Sequence, residues 1–170
     1  CSGFPSAALG EVWPSLPGLE IVLKDIRCLY VIHAPTQTIA QIAEFPGGSG
    51  QGFTSGQHIL ADLDGTGIPV LLTGSRIYGH EVEPGDVMAP EIAAYRYIAA
   101  SKSWSKQMLY QGQPAQNAPP KAADRNAMRD FARGTAGTGL SMAVADIDAD
   151  GDLDIVCPGK SGLYLFENPR

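Results

Sequence analysis

Apolar residues in this chain fall in short runs divided by turn-forming residues. The runs at 19–23, 28–34 and 38–45 are rich in β-branched and aromatic side chains and read as strands, with Pro35 breaking the chain between the second and third. Residues 46–52 form a glycine-rich turn. A unit of four strands is expected over about 57–111, its outer strands at 92–98 and 106–111, and three more strands over 141–167. Residues 1–18, with Pro5, Pro14 and Pro17, read as an irregular lead-in anchored by Trp13. His33 alternates with apolar neighbours and reads as a core or face histidine.

One segment breaks the pattern. After the polar, extended stretch 113–120, residues 121–133 read as a helix stopped by Gly134. Ala123, Ala127, Met128, Phe131 and Ala132 share one face, while Arg125, Arg129 and Arg133 line another. Three arginines at this spacing repel one another unless anions attend them. Asp124 and Asp130 supply some of that charge, and a bound carboxylate, phosphate or sugar is the sharper reading, through the planar guanidinium fork.

The densest chemistry lies at 146–154, where Asp146, Asp148, Asp150, Asp152 and Asp154 alternate around Gly151. Carboxylates two apart in a curled loop converge on one point, which suits a hard cation, and Ca2+ is the natural occupant. Asp146, Asp148 and Asp150 would supply side chains, Asp152 its backbone carbonyl, and Asp154 would close the shell. An EF-hand requires a carboxylate at its twelfth position and flanking helices; here that position is Cys157 and both flanks are strand-like. The competing reading is a solvated acidic turn without an ion.

The loop belongs to a repeat. Residues 57–74 align without a gap on 141–158, Asp62 matching Asp146 and Gly67 matching Gly151, at a constant offset of 84. In the first repeat Thr66 and Val70 replace the third and last ligands, so Asp62 and Asp64 form at most a weak second site.

The Asp-x-Asp-x-Asp-Gly-x-x-Asp loop between short strands, followed by Pro158-Gly159 and then 162–168, resembles FG-GAP or VCBS-type repeats, the calcium-bearing blades of integrin-like β-propellers. The resemblance covers about 19–170 and is strongest at 141–168. It implies an all-β chain of about two and a half four-stranded antiparallel blades with one short inserted helix: an irregular lead-in over 1–18, then a partial propeller over 19–170 with an insertion at 112–140. It also implies that this insertion lies on the ligand face, opposite the calcium loops. Closed propellers take four to eight blades, so the expectation is either a piece of a longer propeller or a homo-oligomer joined through open blade edges.

Composition narrows the partners. With 170 residues and 44% apolar content the chain can bury a core, and its net charge of −6 argues against nucleic acid. The sequence holds no apolar run of membrane-spanning length. Cys1, Cys28 and Cys157 cannot all pair within the chain, leaving one disulfide plus a thiol, or three thiols. Cys1-Ser2-Gly3 resembles the lipidated start of a bacterial lipoprotein. Together with a calcium loop of the extracellular kind, this favours a secreted or periplasmic setting with a possible lipid anchor at Cys1.

Three functions follow as expectations. The first is an extracellular calcium-stabilised propeller module that binds a carbohydrate or protein partner through the inserted face. The second is a sugar-active lyase or dehydratase, with His80 and Tyr78 in the polar loop 74–90 as acid–base candidates. The third is a structural subunit. The sequence carries no nucleophilic triad, metalloprotease motif or cofactor fingerprint.

Overall fold

In a computed structural model of the chain, the residues described are 7–24, 28–44, 57–75, 89–112, 136, 141–159 and 162–168. They form eleven strands: β1 Ala7–Gly10, β2 Glu20–Lys24, β3 Cys28–His33, β4 Thr38–Glu44, β5 Ile59–Ala61, β6 Val70–Gly74, β7 Glu91–Ile98, β8 Ser103–Gln111, β9 Ala143–Ala145, β10 Asp154–Gly159 and β11 Gly162–Phe166. These make three antiparallel sheets in chain order, β1-β2-β3-β4, β5-β6-β7-β8 and β9-β10-β11, none of which closes on itself. No helix occurs among the described residues; the helix expected at 121–133 lies outside them. Nor is any helix among them long and apolar enough to cross a membrane.

The sheets stack face to face, and strict alternation divides the middle sheet between two cores. Leu71, Ala93 and Tyr95 pack with Val22, Leu29 and Val31 from the first sheet and with Val12 from the connection between β1 and β2. Their neighbours Val70, Leu72, Ile92 and Ala94 point the other way, onto Ile155 and Cys157 of the third and onto Met142 just before β9. Each junction is fastened by aromatic rings. Trp13, Tyr97 and Trp104 meet at centroid distances of 5.5–6.1 Å across the first junction. Tyr110 meets Phe166 at 5.3 Å across the second. The sheets also approach one another through their first strands, β1 beside β5 and β5 beside β9.

One expectation is corrected. The lead-in is not irregular throughout: Ala7–Gly10 is a strand in full register with β2, from Ala7 opposite Leu23 to Gly10 opposite Glu20, so the first sheet has four strands. Its small residues have little intrinsic strand preference. Tertiary bonds supply the order: the fully buried Glu20 accepts hydrogen bonds through Oε2 from the Val12 N–H at 2.8 Å and the Trp13 N–H at 3.1 Å.

His33 is a core histidine, as its alternation predicts, with only 2% of its surface exposed. Nε2 lies 3.2 Å from the Pro17 carbonyl, which can only accept, so this nitrogen carries a proton. Nδ1 meets the Thr36 hydroxyl at 2.7 Å. Cys157 is a free thiol buried in the second core, and no bridge joins it to Cys28; Cys1 lies outside the described residues.

Candidate metal centre

The two repeats are structural as well as sequential. β5 and β9 begin and end at equivalent residues, and Ile59, Leu60 and Ala61 pair with Leu72, Leu71 and Val70 as Ala143, Val144 and Ala145 pair with Val156, Ile155 and Asp154. Backbone conformation matches too. Gly65 and Ala149 sit in the left-handed region at φ 64° and 63°, and Gly67 and Gly151 at 80° and 94°. The sharp reversal therefore falls at the same place in each loop, although only the first has glycine at both positions.

In the second repeat the aspartates first serve the backbone. Asp146 accepts from the N–H groups of Asp150 and Gly151, both at 3.1 Å. Asp148 accepts from Asp150 N–H at 3.2 Å, and Asp150 from Asp152 N–H at 2.9 Å. The buried carboxylate of Asp154 accepts from Ile147 N–H at 2.9 Å and from Asn168 N–H at 3.1 Å, joining the loop to the segment after β11. These bonds leave lone pairs for a cation, since each carboxylate oxygen can accept more than once.

Of the five aspartates, Asp146, Asp148 and Asp154 each offer an oxygen lying within 4.8 Å of the other two. Oxygens on opposite sides of a Ca2+ ion, each about 2.4 Å away, stand about 5 Å apart. The donor set and its spacing therefore fit a hard, oxygen-seeking ion. Asp150 is not part of this gathering, and the Asp152 side chain is buried. No ion pair among the described residues involves Asp146, Asp148 or Asp154.

The first repeat reproduces the loop and neutralises it differently. Thr66 N–H donates to Asp62 at 3.0 Å and to Asp64 at 3.4 Å, and Gly67 N–H donates to Asp62 at 2.7 Å, the same three bonds 84 residues earlier. Here the Arg96 guanidinium, reaching over from β7, sits 2.7 Å from Asp64 Oδ2. The Thr66 hydroxyl, donating to Asp64 at 2.8 Å, and then Arg96 hold the Asp64 carboxyl below the usual carboxylate range. With a fixed cation in place and Val70 where the second repeat has Asp154, the weak second site at Asp62 and Asp64 is an arginine-closed turn.

Sequence reasoning missed Arg96 because it sits in an apolar strand 32 residues from its partner; two aspartates lacking a nearby cation were the available signal. It also missed Asn168, whose side-chain amide donates to the Leu63 carbonyl at 2.9 Å, bridging the two repeats. Beside this bridge lies a cleft of about 360 Å³ lined by Leu63, Leu109, Leu153, Ile155, Phe166, Glu167 and Asn168. The acid–base candidates His80 and Tyr78 and the arginines Arg125, Arg129 and Arg133 lie outside the described residues.

Compared with protein-family models, curated proteins and solved structures, the chain matches none.

Proposed function

We propose that the chain is a calcium-stabilised β-propeller module of the FG-GAP/VCBS kind, secreted or periplasmic, that works by binding a carbohydrate or protein partner. The observation that carries this reading is the contrast between its two loops. Where a guanidinium closes the first, the second gathers three carboxylate oxygens within 4.8 Å, one of them on the buried Asp154. Like charges held this close repel, and Ca2+ would relieve that repulsion.

Asp146, Asp148 and Asp154 would hold the ion by their side chains, with the Asp152 carbonyl and Asp150 as further donors. The ion supplies charge neutralisation and cross-linking between β9 and β10 and takes no part in chemistry. Consecutive antiparallel sheets that meet at their first strands support the blade reading. The partner surface is assigned to the insertion at 112–140, where Arg125, Arg129 and Arg133 supply planar donors.

Calorimetric titration with Ca2+ tests the metal. One site is expected, with a melting temperature that falls on chelation. Asp148→Ala should abolish both the binding heat and the chelation effect while leaving the first loop intact; an unchanged melting temperature on chelation would sink the assignment. A glycan array run with the full chain and with an Arg125, Arg129 and Arg133 triple alanine variant tests the partner class. Retention by neither sugars nor a protein ligand would count against a binding module.

A further inference from the structure

Both ends of the three-sheet stack present an apolar sheet face to solvent. On the first sheet, Val22, Leu29 and Val31 point into the first core, so the alternate positions Leu9, Ile21, Leu23, Ile32 and Ile39 form the outer face. On the third sheet, Ile155 and Cys157 point inward, and Ala143, Ala145, Val156, Pro158, Leu163 and Leu165 form the outer face, with the buried Asp154 at one end of it where the middle sheet has Val70. The three most exposed large apolar side chains among the described residues all lie on these two faces: Leu163 at 73%, Leu9 at 68% and Ile39 at 65%. Contiguous apolar patches of this kind mark interaction surfaces.

The internal repeat identifies what such a face fits. Ala143, Ala145 and Val156 on the outer face of the third sheet are the equivalents of Ile59, Ala61 and Leu72 in the middle sheet. Those three residues pack in the second core, under the third sheet. The outer face of the third sheet is thus built like one that receives a following sheet. The inner partner of each junction obeys the opposite rule: Leu71, and its equivalent Ile155, face the preceding sheet. The outer face of the first sheet is therefore the one that a preceding sheet would cover. The two ends are unlike and mutually complementary.

We infer that this chain associates head to tail with a second copy of itself, the outer face of one copy's third sheet, around Leu163 and Leu165, packing on the outer face of the other's first sheet, around Leu9 and Ile39. Such a contact is heterologous and leaves a free face on each copy, so it proceeds to a closed ring or a filament. It rests on the stacking of the sheets and is independent of the partner bound by the insertion.

Light scattering of the full chain, from about 1 µM to several hundred µM, tests the inference. The wild-type protein is expected to gain mass with concentration. Leu163→Asp and Ile39→Asp, each at a residue already exposed in the single chain, should raise the concentration needed for association at least about tenfold. An equimolar mixture of the two variants should recover a dimer and nothing larger, because each retains one competent face. Leu165→Asp and Leu9→Asp should repeat the pattern, with circular dichroism showing the fold retained. A chain that stays monomeric over the whole range overturns the inference, as does either variant associating like the wild type. A mixture no better than its components refutes the head-to-tail arrangement.

Discussion

Arg96 Nη2 stands 2.7 Å from Asp64 Oδ2, a residue of β7 closing a loop that precedes it by 32 positions. The Thr66 hydroxyl is the largest single influence holding that carboxyl down, and Arg96 adds to it both by its hydrogen bond and by its charge. In carbonyl-detected NMR the Asp64 midpoint should lie below the ordinary aspartate value. Thr66→Val and Arg96→Ala should each raise it. A carboxyl depressed in the folded state contributes stability above its unfolded pKa, and that contribution is lost as pH falls below about 4. In the Thr66→Val variant this acid-sensitive part should shrink. An Asp64 midpoint at or above the ordinary value would contradict the arrangement.

Ala149 adopts φ 63° where its equivalent in the first loop is Gly65 at 64°. A Cβ in the left-handed region is strained, and replacing it by glycine relieves that strain while adding freedom to the unfolded chain. Ala149→Gly should gain about 0.5–1 kcal/mol net in urea unfolding, and Gly65→Ala should lose a similar amount. Equal and opposite changes would show that the two loops fold alike; a loss on Ala149→Gly would refute the shared conformation.

The Tyr95 hydroxyl lies inside the first core with no hydrogen-bond partner among the described residues, and burial holds the phenol well above its usual pKa range. A buried, unpaired hydroxyl costs about 1–3 kcal/mol. Tyr95→Phe, which keeps the ring and its contact with Lys106 Nζ at 5.9 Å from the centroid, should raise stability by about 1 kcal/mol. Destabilisation would mean that the hydroxyl is bonded.

Burial pushes the Cys157 thiol up to about 12. Little thiolate forms at neutral pH, and the sulfur has no path to solvent. Iodoacetamide, followed by peptide mass mapping, should leave Cys157 unmodified in the folded protein. Unfolding in guanidinium should speed its labelling on the order of a thousandfold. Rapid labelling in the native state would place the residue outside the core.

What the sequence made legible follows the range of each interaction. Strand periodicity and the repeat are local, so β5 and β9, the two acidic loops and the burial of His33 could be read directly. β1 could not, because Ala7–Gly10 owes its extension to β2 and to the Glu20 carboxylate rather than to its own side chains. At the acidic loop, spacing named five aspartates, and the fold brings the oxygens of three of them together. Asp150 accepts from the N–H two residues on, as Asp148 does, yet stands outside that gathering. Arg96 was hidden because its partner lies 32 residues away in the chain, and Asn168 because it acts across a sheet boundary.

Asn168 also has a bearing on how the molecule comes apart. One residue donates its backbone N–H to the buried Asp154 and its side-chain amide to the Leu63 carbonyl. Release of β11 from the third sheet would thus detach the loop of the first repeat from that sheet in the same event. Leu71 and Leu72, adjacent in sequence, already commit β6 to both cores. Hydrogen exchange should accordingly find these two sheets opening as one cooperative unit, slowest at β6, rather than peeling away one at a time.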